Sequence, residues 1–268
     1  MIGDYFKYEQ QYVKKYGVKT IFLMQCGSFF EVYGTKDKEG NFDSQIAEFS
    51  RICDMVIAKK NTTYRGRQIF MAGFSQIDRL EKYITKLNED GFTAAVHVQD
   101  PNVPSIRSEF GVFSPGTNFS PKGGEISNNT MALWVEKYGK SLINKAPSII
   151  CGMSCVDIFT GVSNMFEFKE SYFHNPTTFD EIERFYSTYS PSEIVIISNM
   201  SESDVDDVVQ FAAIDCRVIH RVSLVDKEGS HYQSAKNCEK QTYQKELLER
   251  FYSISDYEAF CESLRLRE

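Results

Sequence analysis

The order of apolar runs after residue 130 constrains this chain more than any other feature. Residues 131–135, 149–159 and 162–168 are three strand-length apolar runs in quick succession, the last two joined by Thr160-Gly161 as a tight turn. Three such runs predict an antiparallel meander. The pattern then changes to a helix over 178–187, a strand over 193–198, a helix over 201–213, a strand over 216–222 and a helix over 242–252. This alternation is that of parallel crossovers, whose short connections and fixed hand leave few arrangements open. The second half therefore reads as one mixed sheet with helices packed on it.

The first half reads as α/β in a different order. Tyr5, Tyr8, Tyr12 and Tyr16 recur at three- and four-residue spacing over 4–16 and stop at Gly17, which predicts an amphipathic helix. A strand over 19–25 leads into Gln25-Cys26-Gly27-Ser28-Phe29-Phe30-Glu31-Val32-Tyr33-Gly34, the two forming a hairpin edge before an exposed turn at 35–40. A helix over 44–58, with Ile46, Phe49, Ile52, Cys53, Val56 and Ile57 on one face, delivers Lys59 and Lys60 at its C-terminal end, and a basic loop, 61–67, follows. After the apolar run 68–74, Ser75 is placed as the N-cap of a helix through 88, with Ile77, Leu80, Tyr83, Ile84 and Leu87 as its buried stripe. Strands over 92–99 and 108–113 complete the series, the second stopping at Ser114-Pro115-Gly116-Thr117. The predicted order is helix, strand pair, helix, strand, helix, strand, strand.

Between the halves lies the one stretch rich in Gly, Pro, Ser and Asn, residues 120–129, and the boundary is placed near 126. A chain of 268 residues can close two cores of ordinary size. The expected division is 1–125, 126–254, and 255–268 as the start of a further helical element. The net charge of −7 hides a split: residues 1–125 carry 16 Lys and Arg against 15 Asp and Glu, while 126–268 carry 14 against 22. The first half is thus the candidate for an anionic partner. Within it Arg51, Lys59, Lys60, Arg65 and Arg67 face only Asp54 across 51–67, a local excess that suits either phosphates or a solvated surface. No basic-then-apolar leader opens the chain and no apolar run is long enough to span a bilayer, so no membrane role and an intracellular, reducing setting are expected. Seven scattered cysteines without a CxxC pair agree with reduced thiols, and the isolated His97, His174, His220 and His231 form no ligand spacing for a metal.

The stretch 25–34 carries the candidate chemistry. In an extended segment Phe29 and Glu31 point the same way and Phe30 the other, so one face offers an aromatic ring beside a carboxylate. Exposed, that face is a wedge for a DNA minor groove. Buried, it is an ordinary strand.

Four blocks in register give this half a resemblance to the mismatch-binding domain of the MutS family of DNA mismatch-repair proteins. The family's Gly-Asp-Phe-Tyr-Glu appears as Gly27-Ser28-Phe29-Phe30-Glu31, its Met-Ala-Gly-Ile-Pro as Met71-Ala72-Gly73-Phe74-Ser75, its Leu- and Lys-rich helix as residues 80–88 followed by Gly91, and its Thr-Pro-Gly-Thr as Ser114-Pro115-Gly116-Thr117. The second half, whose meander and crossovers resemble a ribonuclease-H-like fold, is similar to the family's connector domain, with Val156-Asp157-Ile158-Phe159-Thr160-Gly161 for Leu-Asp-Ile-Ser-Ser-Gly. Ser28 for Asp and Phe74-Ser75 for Ile-Pro are departures that resemble MutS homologues of the giant-virus and octocoral-mitochondrial type.

The resemblance implies a role in mismatched or damaged DNA binding by aromatic insertion and kinking. Phe29 would stack on a mispaired base and Glu31 hydrogen-bond it, accepting when ionised and donating when protonated, while Phe30 packs inward. Met71 and Phe74 become minor-groove neighbours, and Lys59, Lys60, Arg65 and Arg67 phosphate contacts. Mismatched steps unstack and bend more easily, so such a protein selects by deformability. The implied partners are double-stranded DNA with mismatches, a second copy when full length, and a MutL-like protein through the connector. No cofactor and no enzyme activity are expected of this chain. ATP and Mg belong to the family's ATPase region, and the one Gly-Lys-Ser, Gly139-Lys140-Ser141, has Trp134 where a phosphate-binding loop needs Gly. Two alternatives remain: a metal-dependent nuclease built on Asp157 as a first-strand carboxylate, with Glu167 and the Asp206-Asp207 pair, or a protein-interaction module without wedge activity.

Overall fold

The computed structural model describes residues 1–75, 77–118, 127–139, 147–252 and 257–263, and builds them into two mixed sheets with helices against them. Helix α1 (Ile2–Tyr16) is followed by β1 (Thr20–Cys26), β2 (Phe29–Thr35), α2 (Ile46–Cys53), β3 (Ala58–Tyr64), β4 (Arg67–Ser75), α3 (Leu80–Glu89), β5 (Thr93–Gln99) and β6 (Arg107–Phe113). These strands lie in the order β3-β4-β2-β1-β5-β6, with only the β1–β5 pair parallel. Ile21 to Met24 of the central strand β1 are apolar without a break, and both faces of the strand are covered. Ile21 and Leu23 pack toward α2 and α3 with Phe30, Val32 and Phe49, while Phe22 and Met24 pack with the α1 residues Tyr5, Phe6 and Tyr12. The tyrosine stripe of α1 is therefore a packing face, and its hydroxyls find partners: Tyr5 donates to the Phe22 carbonyl at 3.0 Å and Tyr12 bonds His97 and Glu109.

Three expectations for this half are corrected. The second helix ends at Cys53, not 58: Asp54 takes a left-handed φ of 57° and Val56 lies in solvent, so Lys59 and Lys60 stand on a strand rather than at a helix end. The basic loop is the β3–β4 hairpin, whose turn residues Arg65 and Gly66 both have positive φ (48° and 76°) between the Tyr64 and Arg67 pair. That is the geometry of a two-residue primed turn. Ser75 closes β4 instead of capping a helix, and a 3-10 turn, Ile77–Arg79, leads into α3 with Ile77 exposed.

The second half comprises β7 (Asn129–Tyr138), β8 (Ser148–Asp157), β9 (Ser163–Ser171), α4 (Asp180–Tyr189), β10 (Glu193–Ser198), α5 (Glu202–Phe211), β11 (Val218–Ser223), α6 (Tyr232–Cys238), α7 (Gln241–Tyr252) and α8 (Tyr257–Ser263). The sheet order β11-β10-β7-β8-β9, antiparallel through β7, β8 and β9 and parallel from β7 through β10 to β11, is the expected ribonuclease-H-like arrangement. Leu133, Ile149, Cys151, Ile194 and Ile196 form its core with Ile182 of α4 and Val208 of α5. Burial pushes the Cys151 thiol up to about 12. The meander turn is longer than expected: residues 158–162 connect β8 to β9, and Asp157 closes them by accepting from Asn128, Phe159 and Thr160. Helix α6 was not anticipated, since only Ala235 of its residues is buried and no apolar stripe marks it.

The expected boundary near 126 lies outside the described residues. On its near side, the turn Pro115–Thr117 is seated on the second sheet: the Gly116 amide donates to Glu193 at 2.8 Å, Thr130 donates to the Gly116 carbonyl at 2.7 Å, and Asn128 donates to the Pro115 carbonyl at 3.0 Å. A Cβ at Gly116 would come within 2.6 Å of Thr130 and 2.7 Å of Glu193.

Candidate nucleic-acid interface

Phe29 is the first residue of β2, opposite Cys26 of β1 and Ser75 of β4, and is 46 % exposed. Alternation then sends Phe30 to the other face, where it is fully buried and stacks on Phe74 at 5.5 Å. The turn that presents Phe29 is pinned from the neighbouring strands. Gly27, at φ 63°, donates to the Gln99 side chain at 2.7 Å; the Gln99 amide donates to Gln25 at 2.9 Å; and Arg107 donates to the Gln25 carbonyl at 2.7 Å. None of these three side chains stood out in the sequence, because their role exists only once β1, β5 and β6 are neighbours.

Glu31 sits two residues along β2 on the same face as Phe29, between Met24 and Gly73 in the sheet, and is 7 % exposed. Its Oε2 accepts from Lys60 at 2.9 Å and from the Tyr33 hydroxyl. Lys60 Nζ also lies 3.0 Å from the Tyr33 oxygen and 4.7 Å from the centre of its ring. Burial, helped by Cys26 and Glu31, raises Tyr33 far above the ordinary phenol range, so it remains a neutral donor. Tyr33 could have been read from the alternation that aligned Phe29 with Glu31.

The other expected contacts divide. Phe74 is corrected to a core residue, 4 % exposed and 4.2 Å from the Tyr83 ring, so it does not reach a groove. Met71 is half-buried beside Tyr33 and Ala58. Lys60 is turned to Glu31, whereas Lys59 is exposed opposite Phe70. Arg65 lies over its neighbour Tyr64, and Arg67 is 3.9 Å from Asp43. Because Phe29 pairs with Ser75 and the hairpin turn adjoins Arg67, at the opposite end of β4, these two arginines stand about 25 Å from the Phe29 end. Arg51 is held by Glu48 and Asp90. The basic window is therefore not one patch. The Phe29 end instead carries exposed apolar residues scattered in the sequence and brought together only by the fold: Ile77 just past β4, and Val103 and Ile106 between β5 and β6.

The carboxylates of the nuclease alternative do not converge. Asp157 ends the second strand of its sheet, not the first, and hydrogen bonds from Thr160 and from the Asn128 and Phe159 amides hold it below the usual carboxylate range. Asp206 pairs with Arg221 at 2.7 Å and Asp207 with His174 at 3.5 Å, while Glu167 is exposed on β9. Among the described residues no three His, Cys, Asp or Glu side chains are grouped to hold a metal ion. No helix among them is long and apolar enough to cross a membrane.

No protein-family model matches the chain. It is 25 % identical over 265 residues, 94 % of its length, to a putative DNA mismatch repair protein of the MutS type from Acanthamoeba polyphaga mimivirus. It is 26 % identical over 215 residues, 78 % of its length, to the DNA mismatch repair protein MutS of Clostridium beijerinckii. The chain spans 23 % and 20 % of the length of these two relatives. A solved Bacteroides thetaiotaomicron protein with an actin-like ATPase fold and unknown function aligns over 87 % of this chain and 97 % of its own, at 8 % identity and a TM-score of 0.25, too low to bear on the argument.

Proposed function

We propose that this chain is the DNA-recognition part of a mismatch-repair protein, and that it selects mismatched or damaged duplexes by inserting Phe29 at a weakened base step. The observation that carries this reading is the division of labour between adjacent phenylalanines: Phe30 anchors the strand in the core while Phe29 projects from the sheet end beside Glu31. An exposed ring on an anchored strand suits partial unstacking, and a step that is already mispaired costs less to open and bend. Similarity to two MutS-type proteins over most of the chain supports the same role. In this reading Glu31 meets the base beside Phe29, and the apolar rim of Ile77, Val103 and Ile106 lies toward the groove. Dimerisation around DNA and docking of a MutL-like protein on the second sheet belong to the same proposal for the whole protein.

The test is binding of this chain and of Phe29→Ala to a matched duplex and to the same duplex with one mismatch, at two salt concentrations. A mismatch preference that Phe29→Ala removes is the expected result. Equal binding of both duplexes, unchanged by Phe29→Ala, would sink the reading.

A further inference from the structure

Lys60 stood in the sequence as one of several cations suited to phosphate, and its surroundings give it a different task. Strand β3 pairs regularly with β4 at Ala58 and Lys59 and again at Thr63 and Tyr64, with a register shift between. The irregular stretch is stitched by the Gln68 side chain, which donates to the carbonyls of Lys60 at 2.6 Å and Thr62 at 3.4 Å. Such irregularities re-aim side chains. Here the result is that Lys60, on the edge-strand side of β4, reaches across the Tyr33 ring to Glu31.

The contact is one-sided. Lys60 and Tyr33 both bond Oε2 of Glu31, and Oε1 has no protein partner among the described residues. A carboxylate clamped by one oxygen has lost most of its rotational freedom, and its second oxygen is left for a ligand.

We propose that Lys60, with Tyr33, is a positioning residue for Glu31: it fixes Oε2 so that Oε1 is presented beside Phe29, and its charge serves the carboxylate instead of the DNA backbone. This rests on the mismatch-recognition reading, and it makes Lys60 a determinant of discrimination instead of general affinity.

The two roles leave different signatures. A lysine on a phosphate contributes equally to matched and mismatched duplex, and its removal makes the salt dependence shallower by about one unit. A lysine that positions Glu31 contributes to the ratio. The experiment measures affinity for matched and single-mismatch duplexes across a salt series for wild type, Lys60→Met, Lys60→Arg, Tyr33→Phe, Glu31→Ala and the Lys60→Met/Glu31→Ala double variant, with thermal melting to confirm that each variant folds. The expected result is that Lys60→Met lowers the mismatch preference about tenfold, the scale of a lost hydrogen bond to a charged group, with the salt slope unchanged. Tyr33→Phe should lower the preference in the same direction, Lys60→Arg should restore part of it, and Lys60→Met should have no further effect on preference in the Glu31→Ala background. A uniform loss on both duplexes with a shallower slope overturns the proposal and leaves mismatch recognition standing. A preference that Lys60→Met leaves at the wild-type value also overturns it. Absence of any preference in the wild-type chain removes the underlying reading first.

Discussion

Glu193 accepts a hydrogen bond from the backbone amide of Gly116 at 2.8 Å, so the second sheet holds the turn Pro115–Thr117 that follows β6. The approach is close enough to exclude a side chain at 116, where a Cβ would meet Thr130 and Glu193 inside van der Waals contact. Gly116→Ala is expected to cost about 1–3 kcal/mol, the usual scale of overpacking. Urea denaturation of wild type and variant checks this, and an unchanged midpoint would contradict the described docking.

The same carboxylate predicts a pH dependence. Burial pushes Glu193 up, but hydrogen bonds from His220, Ser114 and Gly116 outweigh it and hold the group below the usual carboxylate range. A depressed folded pKa contributes stability that is complete above the unfolded value near 4.3 and is lost as pH falls through the folded one. Glu193→Gln should therefore lose most, about 1–3 kcal/mol, at neutral pH and progressively less in acid. Denaturation curves between pH 3 and 7 measure the convergence.

Glu9 on α1 carries the opposite sign. Burial, with Asp43 adding to it, raises its carboxyl to about 8. The folded protein thus retains a proton that the unfolded chain has released, and stability declines as pH rises from the ordinary carboxylate range through 8. Glu9→Gln should remove that decline and be the more stable protein at pH 8.5, by about 1–3 kcal/mol. A wild-type stability that is flat from pH 5 to 8.5 would contradict the assignment.

The phenylalanines separate on stability before any DNA is added. Phe30→Ala and Phe74→Ala empty stacked, buried positions and should each cost about 3–5 kcal/mol. Phe29→Ala, at an exposed position, should stay within about 0.5 kcal/mol. This makes Phe29→Ala a clean binding probe. Calorimetric melting of the three variants measures the contrast.

Arg65 and Arg67 stand at the far end of β4 from Phe29. Their replacement by alanine should weaken binding equally for matched and mismatched duplexes and flatten the salt dependence. A selective loss for the mismatched duplex would place them at the base step instead.

The sequence made the sheet interiors legible because period and burial agree there. The strands expected over 19–25 and 193–198 lie within a residue or two of the observed β1 and β10. The opposition of Phe29 and Phe30 was also legible, since a strand's two-residue period fixes it. The departures have separate causes. Lys59 and Lys60 were put at a helix end because Val56 and Ile57 continue an apolar helical face, and the chain leaves that helix at Asp54 through a left-handed residue that composition does not mark. The Arg65-Gly66 turn escaped notice because arginine is not a usual residue at positive φ. Phe74 was assigned to a groove through its neighbours in a motif, whereas its place opposite Phe30 in the ladder puts it in the core.

The pinned turn between β1 and β2 has a mechanical meaning. Phe29 stands on a mount braced laterally by Gln99 and Arg107, across strands on which the whole first sheet is built. Such a mount has little compliance, so a misfit between the ring and whatever it presses against is not absorbed by the protein. In the proposed insertion of Phe29 the softer body would be the duplex, and what the chain would sense at that point is the stiffness of its partner.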